Sequence, residues 1–451
     1  MAAAAFAWSA SAAWAQSTAA PADPFEYTLA NGLRIVVKQD RRAPTVVQMV
    51  WYRAGSIDEF NGTTGVAHVL EHMMFKGTKS VGPGQFSKQV AALGGHENAF
   101  TNTDYTAYFQ RVEKSQLPEV MRLEADRMEN LMLSEEEFSK EIKVVMEERR
   151  MRTEDSPSGR LWEQLMATAF TAAPQHHPVI GWMDDLMNMR YTDARDWYQR
   201  WYAPNNAVMV IAGDVDPQEV NRLAERYYGR IKPHELPVRK PQIEPEQRGA
   251  RRVTVKAPAE NPSVVLAFKA PRLSNVDSDD DAYALEVLEA VLDGHANARL
   301  PRNLVREGRL ADDVDASYSP IGRSQALFVL SGTPAKGRTA AQMEADLRAQ
   351  VALVAKEGVS EQELKRVKAQ LVASQIYKRD SVMGQAMEIG VAEMSGVSWR
   401  QLDRMLDRMA AVSAEQVKAV AAKYFQDDAM TVAELSPLPL DKKTRAPEAG
   451  R

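Results

Sequence analysis

The chain predicts an α+β fold in two homologous lobes, each a mostly antiparallel sheet with helices packed on one side. Three observations carry this reading. The 451 residues exceed one ordinary domain. A stretch rich in proline and charge at 232–250 (KPHELPVRKPQIEPEQRGA follows Ile231) interrupts the pattern, as linkers between domains do. The second half then echoes the first: Leu133-Ser134-Glu135-Glu136-Glu137-Phe138 resembles Val359-Ser360-Glu361-Gln362-Glu363-Leu364. Likewise Trp201-Tyr202 stands before Ala207-Val208-Met209 as Lys423-Tyr424 stands before Ala429-Met430-Thr431. The expected division is a first lobe at 25–232, a linker at 233–250, a second lobe at 251–440 and a tail at 441–451.

The elements follow in order. Residues 1–15 are mostly Ala with Phe6, Trp8 and Trp14, and Ala13-Trp14-Ala15 fits a small-x-small cleavage pattern. Residues 1–24 are read as the remnant of an export signal and a tail. The first basic residue is Arg34, so the usual basic opening of such a signal is missing. The expectation is an exported, periplasmic protein of a Gram-negative-type bacterium. Residues 33–38 (LRIVVK), after the Asn31-Gly32 turn signal, and 45–53 (TVVQMVWYR) are strands rich in β-branched residues. A helix is expected from about 65 to 75, then a strand or hairpin over 98–112. Helical patterns fill most of 115–200, and 207–212 (AVMVIA) is a strand. Beyond the linker, 253–256 and 263–269 are strands and 281–292 a helix.

Composition narrows the function. Hydrophobic residues make up 45% and charged residues 26%, with a net charge of −5. That balance is ordinary for a globular chain and provides no basic footprint for nucleic acid. Past the first residues no apolar run is long enough to span a bilayer. There is no cysteine, so thiolate catalysis, disulfides and cysteine-held zinc are excluded. Any metal must be held by His, Asp or Glu.

His68-Val69-Leu70-Glu71-His72 is where such ligands converge. On a helix, residues four apart share a face, so His68 and His72 can reach one ion at roughly 2.0–2.1 Å. Glu71 can approach the same spot without being a ligand and can take a proton from water. The order H-x-x-E-H is the inverted zincin signature. A catalytic zinc site wants three protein ligands and an open position. The segment Glu141 to Glu148 (EIKVVMEE) offers candidates for the third, on a helix that a Ser134/Glu137 capping box would start. Glu141 and Glu148 share one face, and Glu147 points about 100° away from Glu148. His96, His176, His177, His234 and His295 are read as structural. A five-residue match can arise by chance, and charged helices usually face solvent; further segments decide.

Those segments are Ala54-Gly55-Ser56, 65–78 (GVAHVLEHMMFKGT), Asn98-Ala99 with Thr101, Asp104-Tyr105-Thr106, Val145-Met146-Glu147-Glu148 and 201–206 (WYAPNN). Together they resemble the pitrilysin/insulinase family of inverted zinc metallopeptidases, in the branch that includes mitochondrial processing peptidases. The resemblance implies one zinc per chain held by His68, His72 and Glu148. It makes Glu71 the general base and Glu141 a supporting glutamate of the catalytic site. The step of 76 positions from His72 to Glu148 selects Glu148 over Glu147. It implies hydrolysis of peptides or unfolded segments, with substrate adding to an edge strand near Asn98, Ala99 and Thr101.

The chain departs from that family in two places. The second lobe has no H-x-x-E-H, and the counterpart of Glu148 is Ser374. Active members also present an Arg and a Tyr seven positions apart from a later lobe. Here Arg306 matches the Arg, while the Tyr position falls near Asp312 or Asp313, and Tyr318 lies too far along. The expectation is a zinc-bearing subunit of a heterodimer whose homologous partner, lacking the zinc motif, supplies that pair. The alternatives are a homodimer with a modified pair, and a non-catalytic core or chaperone-like subunit of the same fold.

Overall fold

Strands 45–52 and 207–213 are apolar at nearly every position rather than alternating, and both are buried along their length. Such strands need cover on both faces of a sheet, and that requirement organises the molecule. The computed structural model describes residues 24–440; the expected cleavage site at Ala13-Trp14-Ala15 and the tail 441–451 lie outside the described residues.

The first lobe holds β1 (Phe25–Thr28), β2 (Arg34–Gln39), β3 (Thr45–Tyr52), β4 (His96–Thr101), β5 (Thr106–Glu113) and β6 (Ala207–Gly213). Its helices are α1 (Val66–Met73), α2 (Gln85–Ala92), α3 (Leu117–Asn130), α4 (Glu135–Arg149), α5 (Pro157–Ala169), α6 (Met183–Asn188), α7 (Tyr191–Trp201) and α8 (Pro217–Tyr228). The second lobe holds β7 (Arg251–Pro258), β8 (Ser263–Ala270), β9 (Ala311–Tyr318), β10 (Ala326–Pro334) and β11 (Met430–Leu438). Its helices are α9 (Asp280–Asp293), α10 (Ala340–Glu357), α11 (Glu361–Lys378), α12 (Val382–Ser395), α13 (Leu402–Ala411) and α14 (Ala414–Tyr424).

The sheet orders are β1-β2-β6-β3-β5-β4 and β7-β11-β8-β10-β9. Superposing them pairs β2 with β7, β6 with β11, β3 with β8, β5 with β10 and β4 with β9, so β1 is extra. In each sheet one pair is parallel, β2 with β6 and β7 with β11, and the rest are antiparallel. The sequence echo maps onto this symmetry. Ser134 and Ser360 each accept the backbone N–H three residues on, from Glu137 and Glu363, at the starts of α4 and α11. Only that half of the expected Ser134/Glu137 box forms, because the Glu137 carboxylate turns to Lys140 Nζ at 2.7 Å.

The expectation of helices on one side is only half of what the sheets need. One face of the first sheet packs on its own lobe through Leu33, Ile35, Val46, Val50 and Tyr52, against residues of α1, α3 and α7. The other face, with Val36, Val47, Met49, Trp51, Val208 and Val210, is covered by Ala386 and Ile389 of α12 from the second lobe. The exchange is reciprocal: Leu161 and Leu165 of α5, from the first lobe, pack on Val255, Ala257, Val265, Ala267 and Ala433 of the second sheet. Gly390 lets α12 approach this closely, since a Cβ there would sit 2.0 Å from the Trp51 ring. Polar bonds seal the seam. Arg34 pairs with Glu393 at 2.7 Å, and Arg323, between β9 and β10, grips both oxygens of Asp58 at 2.8 Å.

The linker is bonded to both lobes. Glu244 accepts the N–H groups of Thr171, Ala172 and Ala173 and pairs with Lys269 at 2.7 Å. Burial alone would raise its carboxyl; the Lys269 ammonium and those three N–H groups outweigh burial and hold it down to about 2. No described helix is long and apolar enough to cross a membrane.

Two expectations follow. Gly390→Ala forces Trp51 and α12 apart and should cost about 1–3 kcal/mol, read by chemical denaturation; an unchanged midpoint would show that the contact is not tight. Glu244 has a native pKa below its unfolded value of about 4.3. Its stabilisation is therefore complete above about pH 5 and fades as pH falls towards about 2. In unfolding curves across that range, Glu244→Gln should be less stable than wild type at neutral pH, and the gap should close in acid.

Candidate metal centre

The helix α1 begins at Gly65, whose φ of +87° suits glycine and where a Cβ would meet Ile180 O at 2.5 Å. The buried Glu59 carboxylate receives the N–H groups of Gly65 and Ala67, each at 2.8 Å, satisfying donors that a helix start leaves open. Val66, Ala67, Val69, Leu70 and Met73 are buried in the lobe core. That burial fixes the rotation of α1 and turns His68, Glu71 and His72 towards α4 and β4.

Candidate ligand atoms of His68, His72 and Glu148 lie within 4.8 Å of one another, the one such group among the described residues. Glu148 Oε2 is 3.4 Å from His72 Nε2 and 3.8 Å from His68 Nε2. These spacings suit donors converging on one ion held at roughly 2 Å. The set is two imidazoles and a carboxylate, which suits zinc. Burial, helped by the neighbouring His72 and Arg152, pushes His68 down to about 3, so its ring is neutral and able to ligate. Burial works against the charged form of His72, but its hydrogen bond to Glu141 and the charges of Glu71, Glu141 and Glu148 outweigh it and raise its pKa.

Glu141 and Thr101 support this group. Glu141 Oε1 lies 2.9 Å from His72 Nδ1, which leaves Nε2 to face Glu148 and His68. Lys76 Nζ holds the other Glu141 oxygen at 2.5 Å. Burial would raise Glu141, but His72 and Lys76 outweigh it and lower its pKa. Thr101, expected to contact substrate, donates its hydroxyl to Glu71 Oε2 at 2.6 Å. Burial pushes the Glu71 carboxyl above the usual range, against that bond.

The remaining expected residues fall apart from this cluster. β4 is the edge strand of its sheet and runs beside α1. Ala99 is half-buried against the lobe core, and Asn98 is exposed, its Oδ1 accepting the Ala99 N–H at 2.9 Å. Arg306 is exposed in a helical turn of the second lobe, Pro301–Glu307. Tyr318 is committed elsewhere: its hydroxyl donates to Pro271 O at 2.6 Å and its ring stacks on Phe328. Three partners were not expected from sequence: Lys76 on Glu141, Arg152 on Glu148 at 2.7 Å, and Glu59 at the start of α1. Arg152 stands four residues after Glu148, a spacing that signals contact on a helix, whereas Lys76 lies beyond the end of α1 and far from Glu141 in the chain, with no such signal. Glu59 has none either.

Residues 34–181 match the family profile "Insulinase (Peptidase family M16)", and residues 188–371 match "Peptidase M16 inactive domain". The zinc protease PqqE of Helicobacter pylori is 35% identical over 70% of this chain and 72% of its own length. The chain belongs to the M16 peptidase family. An uncharacterised zinc protease of Bacillus subtilis, YmxG, is 27% identical over 89% of this chain and 96% of its own. Among solved structures, a protease from Helicobacter pylori superposes with a TM-score of 0.87 at 29% identity, covering 92% of this chain and 100% of that one. The periplasmic protease PqqL of Escherichia coli shares the fold at a TM-score of 0.77 and 17% identity; the match covers 93% of this chain and 49% of PqqL.

Glu141→Gln keeps the shape but loses the charge that orients His72. Zinc affinity, measured by chelator competition, should fall about 10- to 100-fold; an unchanged affinity would remove Glu141 from any supporting role.

Proposed function

We propose that this chain is a zinc-dependent endopeptidase subunit acting on extended peptides or unfolded segments. The observation that carries the reading is the convergence of His68, His72 and Glu148, with Glu71 on the same helix as the two histidines. His68, His72 and Glu148 would hold one zinc. Zinc bound there supplies Lewis acidity, making water a nucleophile near neutral pH and polarising a peptide carbonyl.

The chain's own residues do the rest. Thr101 holds Glu71 Oε2, so Oε1 is the oxygen free to take a proton from the attacking water. The same carboxyl then delivers that proton to the departing amine, and the peptide bond breaks. Substrate main chain would pair along the open edge of β4, past Asn98 and Ala99, which sets the peptide beside Glu71. The fixed hydrogen bond to Thr101 keeps the Glu71 carboxylate from turning away between these steps.

Arg306 and the missing Tyr support an assembly of two homologous subunits, in which a partner presents the Arg and Tyr to this zinc site. That this fold covers about half of PqqL agrees with such pairing. A partner lacking H-x-x-E-H is the preferred arrangement, and a homodimer is the alternative. The Ala-rich N-terminus supports export to the periplasm. A non-catalytic core subunit is the weaker reading, because a scaffold has no use for a complete ligand set with an oriented base.

Glu71→Gln should reduce cleavage of a quenched peptide, by the chain alone or with its partner, by roughly 10²- to 10⁴-fold. Bound zinc should remain one per chain. Equal cleavage by wild type and variant would sink the assignment of the base.

A further inference from the structure

We propose that Arg152 is a positioning residue for Glu148, fixing its carboxylate so that one oxygen alone faces the histidines. The proposal rests on the metal site described above. Arg152 Nη1 binds Glu148 Oε1 at 2.7 Å, while Glu148 Oε2 faces His72 Nε2 and His68 Nε2. The two oxygens therefore have divided tasks. Without the guanidinium, the carboxyl group near the end of α4 could turn about its last bond and exchange them. Glu141 performs the matching task for His72 through Nδ1, so two of the three proposed ligands are held from behind.

The surrounding backbone is built to hold Arg152 still. Residues Arg150–Glu154 form a π-helical turn continuing α4, closed by the Asp155 N–H on Arg150 O at 2.7 Å. Such wide turns recur at functional sites. The first turn of α5 presses on this segment at Gly159, where a Cβ would lie 2.2 Å from Arg152 O. Arg160 Nε donates to Glu154 O at 2.5 Å, and the buried Arg149 pairs with Glu163 of α5 at 2.7 Å. α5 is the helix whose Leu161 and Leu165 lie on the second sheet. Arg152 also lines a cavity of about 520 Å³ between α5 and that sheet, with Trp162, Asp313 and Ser331 among the other walls. The chain of contacts thus runs from the docked second lobe through α5 and Arg152 to a metal ligand.

The bland alternative is an ordinary surface ion pair, since the Arg152 side chain is 71% exposed. Such pairs add almost nothing to stability, so stability cannot separate the two readings. Metal affinity can. Arg152→Ala, Arg152→Lys and the control Arg150→Ala would be compared with wild type by chelator competition for zinc and by the visible absorption of the cobalt-substituted chain. Arg150 sits in the same turn but pairs with Glu147.

Arg152→Ala should weaken zinc binding about 10- to 100-fold and alter the cobalt spectrum, with an unchanged thermal midpoint. Arg152→Lys should recover most of the affinity, and Arg150→Ala should match wild type. Wild-type affinity and spectrum in Arg152→Ala would overturn the proposal while leaving the metal site intact. A wild-type chain that takes up neither zinc nor cobalt would overturn the metal site itself, and this inference with it.

Discussion

Two sheets, each apolar on both faces, share one chain, and each lobe's own helices cover only one face. The uncovered faces would expose Trp51, Met49 and Val210 on one side and Val255, Val265 and Ala433 on the other. Burying an apolar side chain of this size is worth about 1.5–3 kcal/mol, so leaving several exposed would exceed the margin by which most domains fold. The solution is the exchange of α5 and α12 across the seam. Neither lobe then has a complete core without the other, and the relative placement of the lobes is set by close packing rather than by the linker. Gly390 against Trp51 marks how tight that packing is.

The candidate metal centre depends on this exchange. α1 is locked by its buried face and by Glu59 at its start, so His68, Glu71 and His72 come from a rigid element. Glu148 is near the end of α4, where helices fray. Its security comes from the turn Arg150–Glu154 and from α5, which is pinned to the second sheet. Asp58, which lies just before Glu59 in the chain, is gripped by Arg323 of the second lobe and Arg239 of the linker. Both sides of the ligand set are therefore braced by residues that belong to the seam or reach across it. A lobe without the H-x-x-E-H motif can serve the site mechanically.

Much of this was legible in the sequence. The ligand helix could be read because spacing on a helix converts directly into a shared face. The strand at 45–53 could be read because its β-branched and aromatic run matches a strand between two packed layers. The two-lobe repeat was visible in the serine caps of α4 and α11. What stayed hidden depends on distance along the chain. Trp51 and Gly390 are separated by most of the molecule, and nothing local in α12 says which sheet it covers. Each lobe's own helices do pack on one side, as expected; the cover of the other face comes from a helix far away in the chain. The resemblance groups Thr101 with Asn98 and Ala99 along the edge strand. Its hydroxyl bonds Glu71, and strand alternation puts it on the face opposite Asn98.

The second lobe shows the same frame without the H-x-x-E-H helix. α9 follows β8 as α1 follows β3, but α9 presents Glu286 and Glu289 where no histidine stands. Burial pushes Glu286 up to about 7; burial, with repulsion from Asp293, Glu286 and Asp315, pushes Glu289 up to about 8. In the first lobe the carboxylate that supports the site is treated oppositely. His72 and Lys76 overcome the burial of Glu141 and keep it charged. The contrast lies between particular carboxylates of one architecture: imidazole and ammonium groups keep Glu141 charged, whereas Glu286 and Glu289 are left to favour protonation. A site that must hold a cation needs charged carboxylates oriented before the ion arrives. The difference between these carboxylates therefore lies less in the count of acidic groups than in the cationic side chains set against them, as Lys76 is against Glu141.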